Sequence, residues 1–156
     1  MLEFTLVGIP MVFVLISTIE LARGMWTYHS MAYAIKEGAR YVVVRGKGCT
    51  QNGNSCGTTV SAIAHQIAYA GIGLDAGTLN AQLMSASGNV TCNPLNSCYE
   101  NNTAWPPVND SAPGADIEIS ATYGFRSALS MFWPGAGSVP FAPVKFPAYS
   151  RQAIQF

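Results

Sequence analysis

The sequence is short of charge. Asp, Glu, Lys and Arg make up 10% of its 156 residues, where an ordinary soluble domain carries about 25%. Eight basic and eight acidic side chains cancel, which leaves no basic face for nucleic acid and no acidic solvating tail. Histidine is scarcer still, with only His29 and His65. No nucleophile–base pair, Gly-rich phosphate loop or metal-ligand spacing is found. The expectation is a protein that is not an enzyme, with no catalytic residue, no cofactor and no metal. The length suits one domain, or a single rod with a compact head.

What the chain does have is a long apolar start. Phe4 to Ile19 carries no charge, and as an α-helix would run for roughly 24 Å. Extended from Met1 to Ala22 it would reach about 33 Å, close to the ~30 Å of a bilayer's hydrocarbon core. Leu2, Leu6, Val7, Ile9 and the run from Met11 to Ile16 cover every side of such a helix. A helix apolar all round must be buried all round, in lipid or among other helices. A cleavable secretory signal fits poorly, because Glu3 stands where a basic residue is expected and no small-residue cleavage pattern follows. A permanent single-pass anchor is the competing reading. Arg23, Lys36, Arg40, Arg45 and Lys47 follow the apolar run, which by the positive-inside rule would hold the rest of the chain in the cytoplasm. A basic leader ahead of Met1, later cut off, would reverse that orientation.

Two residues are awkward in a simple anchor. Glu3 is costly beside hydrocarbon unless paired, and the α-amino group of a neighbouring copy is a natural partner; solvation at the headgroup level is the alternative. Pro10 removes a helical hydrogen bond, and with Gly8 nearby it predicts a kink or a short unwound stretch across residues 6–11. Such a stretch would serve lateral packing of rods. Glu20 and Arg23 are spaced for an intrahelical ion pair where the rod leaves its apolar zone. Beyond them Met25, Tyr28, Ala32, Ile35, Ala39 and Val42 recur at helical spacing and form the stripe expected to pack on the head. Trp26 and Tyr33 stay open between core, interfacial anchor and contact with another subunit. Residues 1–47 therefore read as a hydrophobic-to-amphipathic helix, and 48–156 as the globular head.

The cysteines fall in two close pairs, Cys49/Cys56 and Cys92/Cys98, each bracketing a polar turn sequence. The spacings are wider than in zinc knuckles, and the histidines lie on helices elsewhere. Two local disulfides, Cys49–Cys56 and Cys92–Cys98, are the favoured reading over a metal site, each contributing about 2–3 kcal/mol in the chain-entropy model. Disulfides imply an oxidising compartment, so the head belongs outside the cytoplasm.

Within the head, 58–72 reads as a second helix with Val60, Ile63, Ala64, Ile67 and Gly71 inward and His65 outward. Residues 78–85 and 115–125 alternate as strands, and a third strand is expected over 144–154, where Pro147 marks an edge or bulge. The expected fold class is α+β: a long N-terminal helix, a second helix and a three- or four-stranded antiparallel sheet. Between the first two strands, 87–114 reads as a long polar loop pinned by Cys92–Cys98, with Trp105 displayed on its surface. Asn89, Asn101 and Asn109 stand in glycosylation sequons. A second loop, 131–143, carries Phe132, Trp133 and Phe141 as core or as a docking patch.

The run EFTLVGIPMVFVLISTIELARGMWTYHSMAYAIKEGARY resembles the start of TadE-like pilins and pseudopilins of tight-adherence (Flp-type) pilus systems. Their signature is roughly V-E-F-A-L-V-x-P, a long apolar run, E-x-x-R, and a helix ending in R-E-G-A-R-Y. The matching residues are Glu3, Phe4, Leu6, Val7, Pro10, Glu20, Arg23, Glu37, Gly38, Ala39, Arg40 and Tyr41. The resemblance covers about the first 45 residues; beyond them only the layout is similar. It implies a type IV pilin-like fold and a subunit trimmed by a prepilin peptidase, held in the inner membrane and extruded by pilus assembly machinery. Glu3, Phe4, Pro10, Glu20 and Arg23 are then the assembly residues. The expected function is a structural subunit that polymerises through its N-terminal helix into a helical homo-oligomer, an extracellular pilus filament. Alternatives are a minor pseudopilin that primes or tips a pilus, and a membrane-anchored binding module that never polymerises.

Overall fold

A computed structural model of the chain describes residues 2–47, 49, 56–127 and 144–155, with side chains from residue 6 onward. Helix α1 spans Leu2–Val43 and α2 spans Val60–Ala70. Four strands follow: β1 (Leu79–Met84), β2 (Asn89–Cys92), β3 (Asp116–Phe125) and β4 (Val144–Ala153). They form one antiparallel sheet in the order β2-β1-β3-β4. This is the α+β layout expected from the pattern of residues, and the pilin-like arrangement that the resemblance implies.

The C-terminal half of α1 is part of the head. Met31, Ala34, Ile35, Ala39, Val42 and Val43 are buried with Val60, Ile63, Ala64 and Ile67 of α2 and with the inner face of the sheet. Leu79, Ala81 and Leu83 of β1 and Ile117, Ile119 and Ala121 of β3 supply that inner face, alternating with partly exposed polar residues. The period-two pattern thus does its usual work, setting one face of the sheet against the helices. The helices approach closely at Gly38, where an added Cβ would lie 2.6 Å from Ile67 Cγ1. At its far end α1 is closed by Arg45, whose guanidinium donates to the Tyr41 carbonyl at 3.2 Å and stacks over the Tyr41 ring.

Helix α2 starts cleanly because each of its first amides finds an acceptor. Val60 and Ser61 N–H donate to the carbonyls of Thr103 (3.0 Å) and Asn101 (2.8 Å), and Ala62 N–H donates to the Thr59 hydroxyl at 3.2 Å. An unpaired helix start would leave these donors orphaned. The segment 101–105 is thereby fastened to α2, and Thr58 and Trp105 exchange hydrogen bonds through Thr58 Oγ1 and the two backbones.

Three expectations are corrected. The stretch 87–114 is not one polar loop: Asn89–Cys92 pairs with β1 as an edge strand, and short 3-10 turns run over Leu95–Cys98 and Val108–Asp110. Trp105 is not on the surface but 1% exposed, because the bonds from α2 and Thr58 pull its backbone inward. Of the two alternatives expected at Pro10, a kink or an unwound stretch, the unwound stretch is overturned, because the helix runs through it. A proline costs one donor, and a helix of 42 residues absorbs that loss without ending. Pro147 lies on β4, an edge strand, where it interrupts no ladder on its open side.

Candidate assembly and membrane surface

Along α1 the burial divides in two. From Leu6 to Ile19 the side chains are almost all exposed, including Leu6, Val7, Ile9, Met11, Val12, Phe13, Val14 and Leu15. The most apolar stretch has a mean hydropathy of 1.8, and only 6% of it is buried. By length and composition this helix can cross a membrane. Ser17 and Thr18 return their hydroxyls to the carbonyls of Phe13 and Leu15, so they add no unmet polar group to the exposed surface.

The rod meets the head at residues 20–28. Glu20 is 9% exposed and pairs with Arg23 at 3.0 Å. Arg23 also donates to the carbonyl of Arg126 at 2.9 Å, and its guanidinium lies 5.0 Å from the centre of the Phe125 ring. Gly24 is buried under the ring edges of Phe125 and Phe146, which stack on one another at 5.5 Å. Tyr28 meets Phe146 edge-on at 6.2 Å. Arg23 therefore fastens the rod to the end of β3, and Gly24 and Tyr28 meet the start of β4. Beside this joint opens a groove of about 750 Å³, lined by Leu21, Met25, Tyr28, Val144 and Phe146 among others.

The residues singled out from sequence are placed as follows. Ile35, Ala39 and Val42 lie in the core and Ala32 is partly buried against it. Met25 is 55% exposed, and Tyr28 is also exposed although its ring meets Phe146, so the buried part of the stripe begins later than expected. The head's contact with α1 at that level is made through Gly24, and Met31, Ala34 and Gly38 complete the buried face. Pro10 is exposed. The side chains of Glu3 and Phe4 lie outside the described residues, as does the loop with Phe132, Trp133 and Phe141. Cys49 is bonded to Cys56 and Cys92 to Cys98.

Sequence reasoning missed Phe125 and Phe146 as anchors of the rod, and Arg126 beside them. The available signal was Gly24, a glycine one turn after Glu20 inside the helix. The EGARY run also resolves into parts. Glu37 pairs with Arg40 at 3.0 Å on the outside, Gly38 and Ala39 form the contact with the core, and Tyr41 carries the Arg45 guanidinium.

Elsewhere, Asp110 is buried and accepts both the N–H (2.6 Å) and the hydroxyl (2.7 Å) of Ser87. Those hydrogen bonds, with a further one from Ser85, favour the carboxylate and hold its pKa below the ordinary 3.8. This carboxylate ties the β1–β2 turn to the 108–110 turn and bears on stability. Among the described residues no three His, Cys, Asp or Glu side chains gather as a metal site would require. No curated protein and no solved structure matches the chain. Its opening segment does have a match: residues 1–40 fit the family model of TadE-like proteins.

Proposed function

We propose that the chain is a pilus-associated structural subunit that polymerises through the leading half of α1 into an extracellular filament, after storage in the inner membrane. One observation carries this reading. A single helix is apolar and unburied on every side over residues 6–19, yet built into the head core from Met31 onward. A helix apolar all round needs a continuous apolar environment. In storage that environment is lipid; in a filament it is other copies of the same rod. The similarity of residues 1–40 to TadE-like proteins supports the pilus association. The pairs Cys49–Cys56 and Cys92–Cys98 support a head exposed to an oxidising compartment.

Moving the rod from lipid into a bundle of rods leaves its apolar transfer energy nearly unchanged, so packing and polar pairing decide the outcome. Glu3, placed in the first turn of α1, is the proposed polar contact, accepting from the α-amino group of the next copy. Prepilin peptidase and the assembly machinery are the partners this role requires. The test is electron microscopy of material sheared from the producing cells, with mass spectrometry of its principal band. Filaments composed of this chain are expected. Filaments holding it only in trace stoichiometry would make it a minor, priming subunit. Recovery solely as a detergent-solubilised monomer would make it a membrane-anchored binding module and overturn polymerisation.

A further inference from the structure

We infer that the rim of the head facing the rod is a lipid-docking surface, seated in the headgroup zone of an anionic phospholipid bilayer while α1 spans it. This rests on the membrane-stored state proposed above and adds to it a second contact, made by the head itself.

The rim is assembled along residues 24–30 of α1. Ser30 Oγ donates to the carbonyl of Ile72 at 2.7 Å, which brings the loop after α2 down beside the helix. About 9 Å nearer the rod, the contacts of Gly24 with Phe125 and Phe146 bring in the ends of β3 and β4. At the opposite end of the head, Gln155 N–H reaches the Val43 carbonyl at 3.1 Å, so β4 rises along α1 away from the rim. What the rim displays is apolar: Trp26 is 66% exposed, Ile72 71% and Val144 57%, beside the open groove at Met25. These are large side chains that a soluble head would have no cause to gather around its stalk.

Distance along the helix favours lipid as the occupant. Leu2 to Leu21 rises about 30 Å, the thickness of a hydrocarbon core. Glu20 and Arg23 then stand at its boundary, and Trp26 lies within the next 5–8 Å or so, the depth of a headgroup layer. Tryptophan and tyrosine favour that layer because an apolar ring and a polar edge are both accommodated there. Charge points the same way. Arg126 and Lys145, which faces Gly124 across the β3–β4 ladder, are exposed and enter no ion pair among the described residues. Arg23 is matched by Glu20, so Arg126 and Lys145 are the two cations beside the stalk that complement phosphate headgroups.

The test uses the full chain in vesicles of phosphatidylethanolamine mixed with phosphatidylglycerol. The described residues hold no free cysteine, so a spin label attaches at an introduced one: Leu15→Cys in the span, Trp26→Cys and Ile72→Cys on the rim, and Tyr149→Cys high on β4. Collision rates with oxygen and with a nickel chelate report depth. The label at 15 is expected to see oxygen and no nickel. Labels at 26 and 72 are expected to meet nickel severalfold less often than the label at 149. Adding Arg126→Gln and Lys145→Gln, or omitting phosphatidylglycerol, should raise nickel access at 72 toward the value at 149.

Labels at 26 and 72 as accessible as 149, with 15 still in lipid, would overturn the docking while sparing membrane storage. Free nickel access at 15 would overturn both. Protection at 26 and 72 accompanied by spin–spin broadening that vanishes on dilution with unlabelled chain would assign the rim to another copy of the protein, against lipid.

Discussion

Gly38 and Asp110 each hold a contact that no other residue type would reproduce. A methyl group at Gly38 would sit 2.6 Å from Ile67 Cγ1, inside any real carbon–carbon contact. Cγ1 is close to the backbone of a β-branched side chain, so it cannot swing aside cheaply. Gly38→Ala is therefore expected to cost about 1–3 kcal/mol through overpacking, although alanine is the better helix former. Denaturant unfolding measures it, and unchanged or raised stability would show that the helices part without loss. Asp110 gives a prediction in pH. Its folded pKa is depressed, so its contribution is complete above the unfolded value near 3.8 and disappears as the pH falls through the lower folded value. Wild type should exceed Asp110→Asn in stability at neutral pH, and the two should converge in acid below 3.8. Thermal midpoints taken across that range check it; a gap independent of pH would assign the effect to packing at Ser87.

At the scale of elements, α2 and the strands follow from local pattern, and the segment between them does not. The spacing of Val60, Ile63, Ala64 and Ile67 announces an amphipathic helix, and the structure keeps that face, with Thr59 as its cap where the expected helix already included it. The alternation from Ile117 to Ala121 announces β3 equally well. Asn89–Cys92 escapes because its alternation lasts only four residues inside a stretch rich in Ser, Gly, Asn and Pro; pairing with β1 makes it a strand. Trp105 escapes for a related reason. What buries it is the set of free amides at the start of α2, some forty residues earlier in the chain, which no window of sequence contains. The rod was legible as far as residue 20, where composition decides. Its joint with the head was not, since Phe125 and Phe146 reach Gly24 only through the fold. The Cys92–Cys98 bond closes the turn that follows β2 and carries buried Leu95. Replacing both cysteines by alanine should lower stability by about 2–3 kcal/mol. Calorimetry under non-reducing conditions reads the loss, and an unchanged midpoint would mean that hydrogen bonding alone holds the segment.

For the whole molecule, the division of α1 makes the two jobs of the chain separable. The core draws its α1 residues from Met31 onward, and among the described residues the N-terminal tie between rod and head is the Glu20–Arg23–Arg126 joint. Nothing described in the head touches residues 6–16 by hydrogen bond or ion pair, and the exposed apolar side chains there contribute no buried area to the head's stability. A chain that begins at Ile19 keeps the whole joint and sheds the exposed apolar run. It should fold, with its disulfides formed, into a soluble head whose unfolding midpoint lies close to that of the full chain in detergent. It should also lose any tendency to partition into membranes or to assemble. Circular dichroism with sedimentation would check both halves together. An aggregated or unfolded truncation would mean that the leading helix props up the head, and the separation of rod from head would then fail.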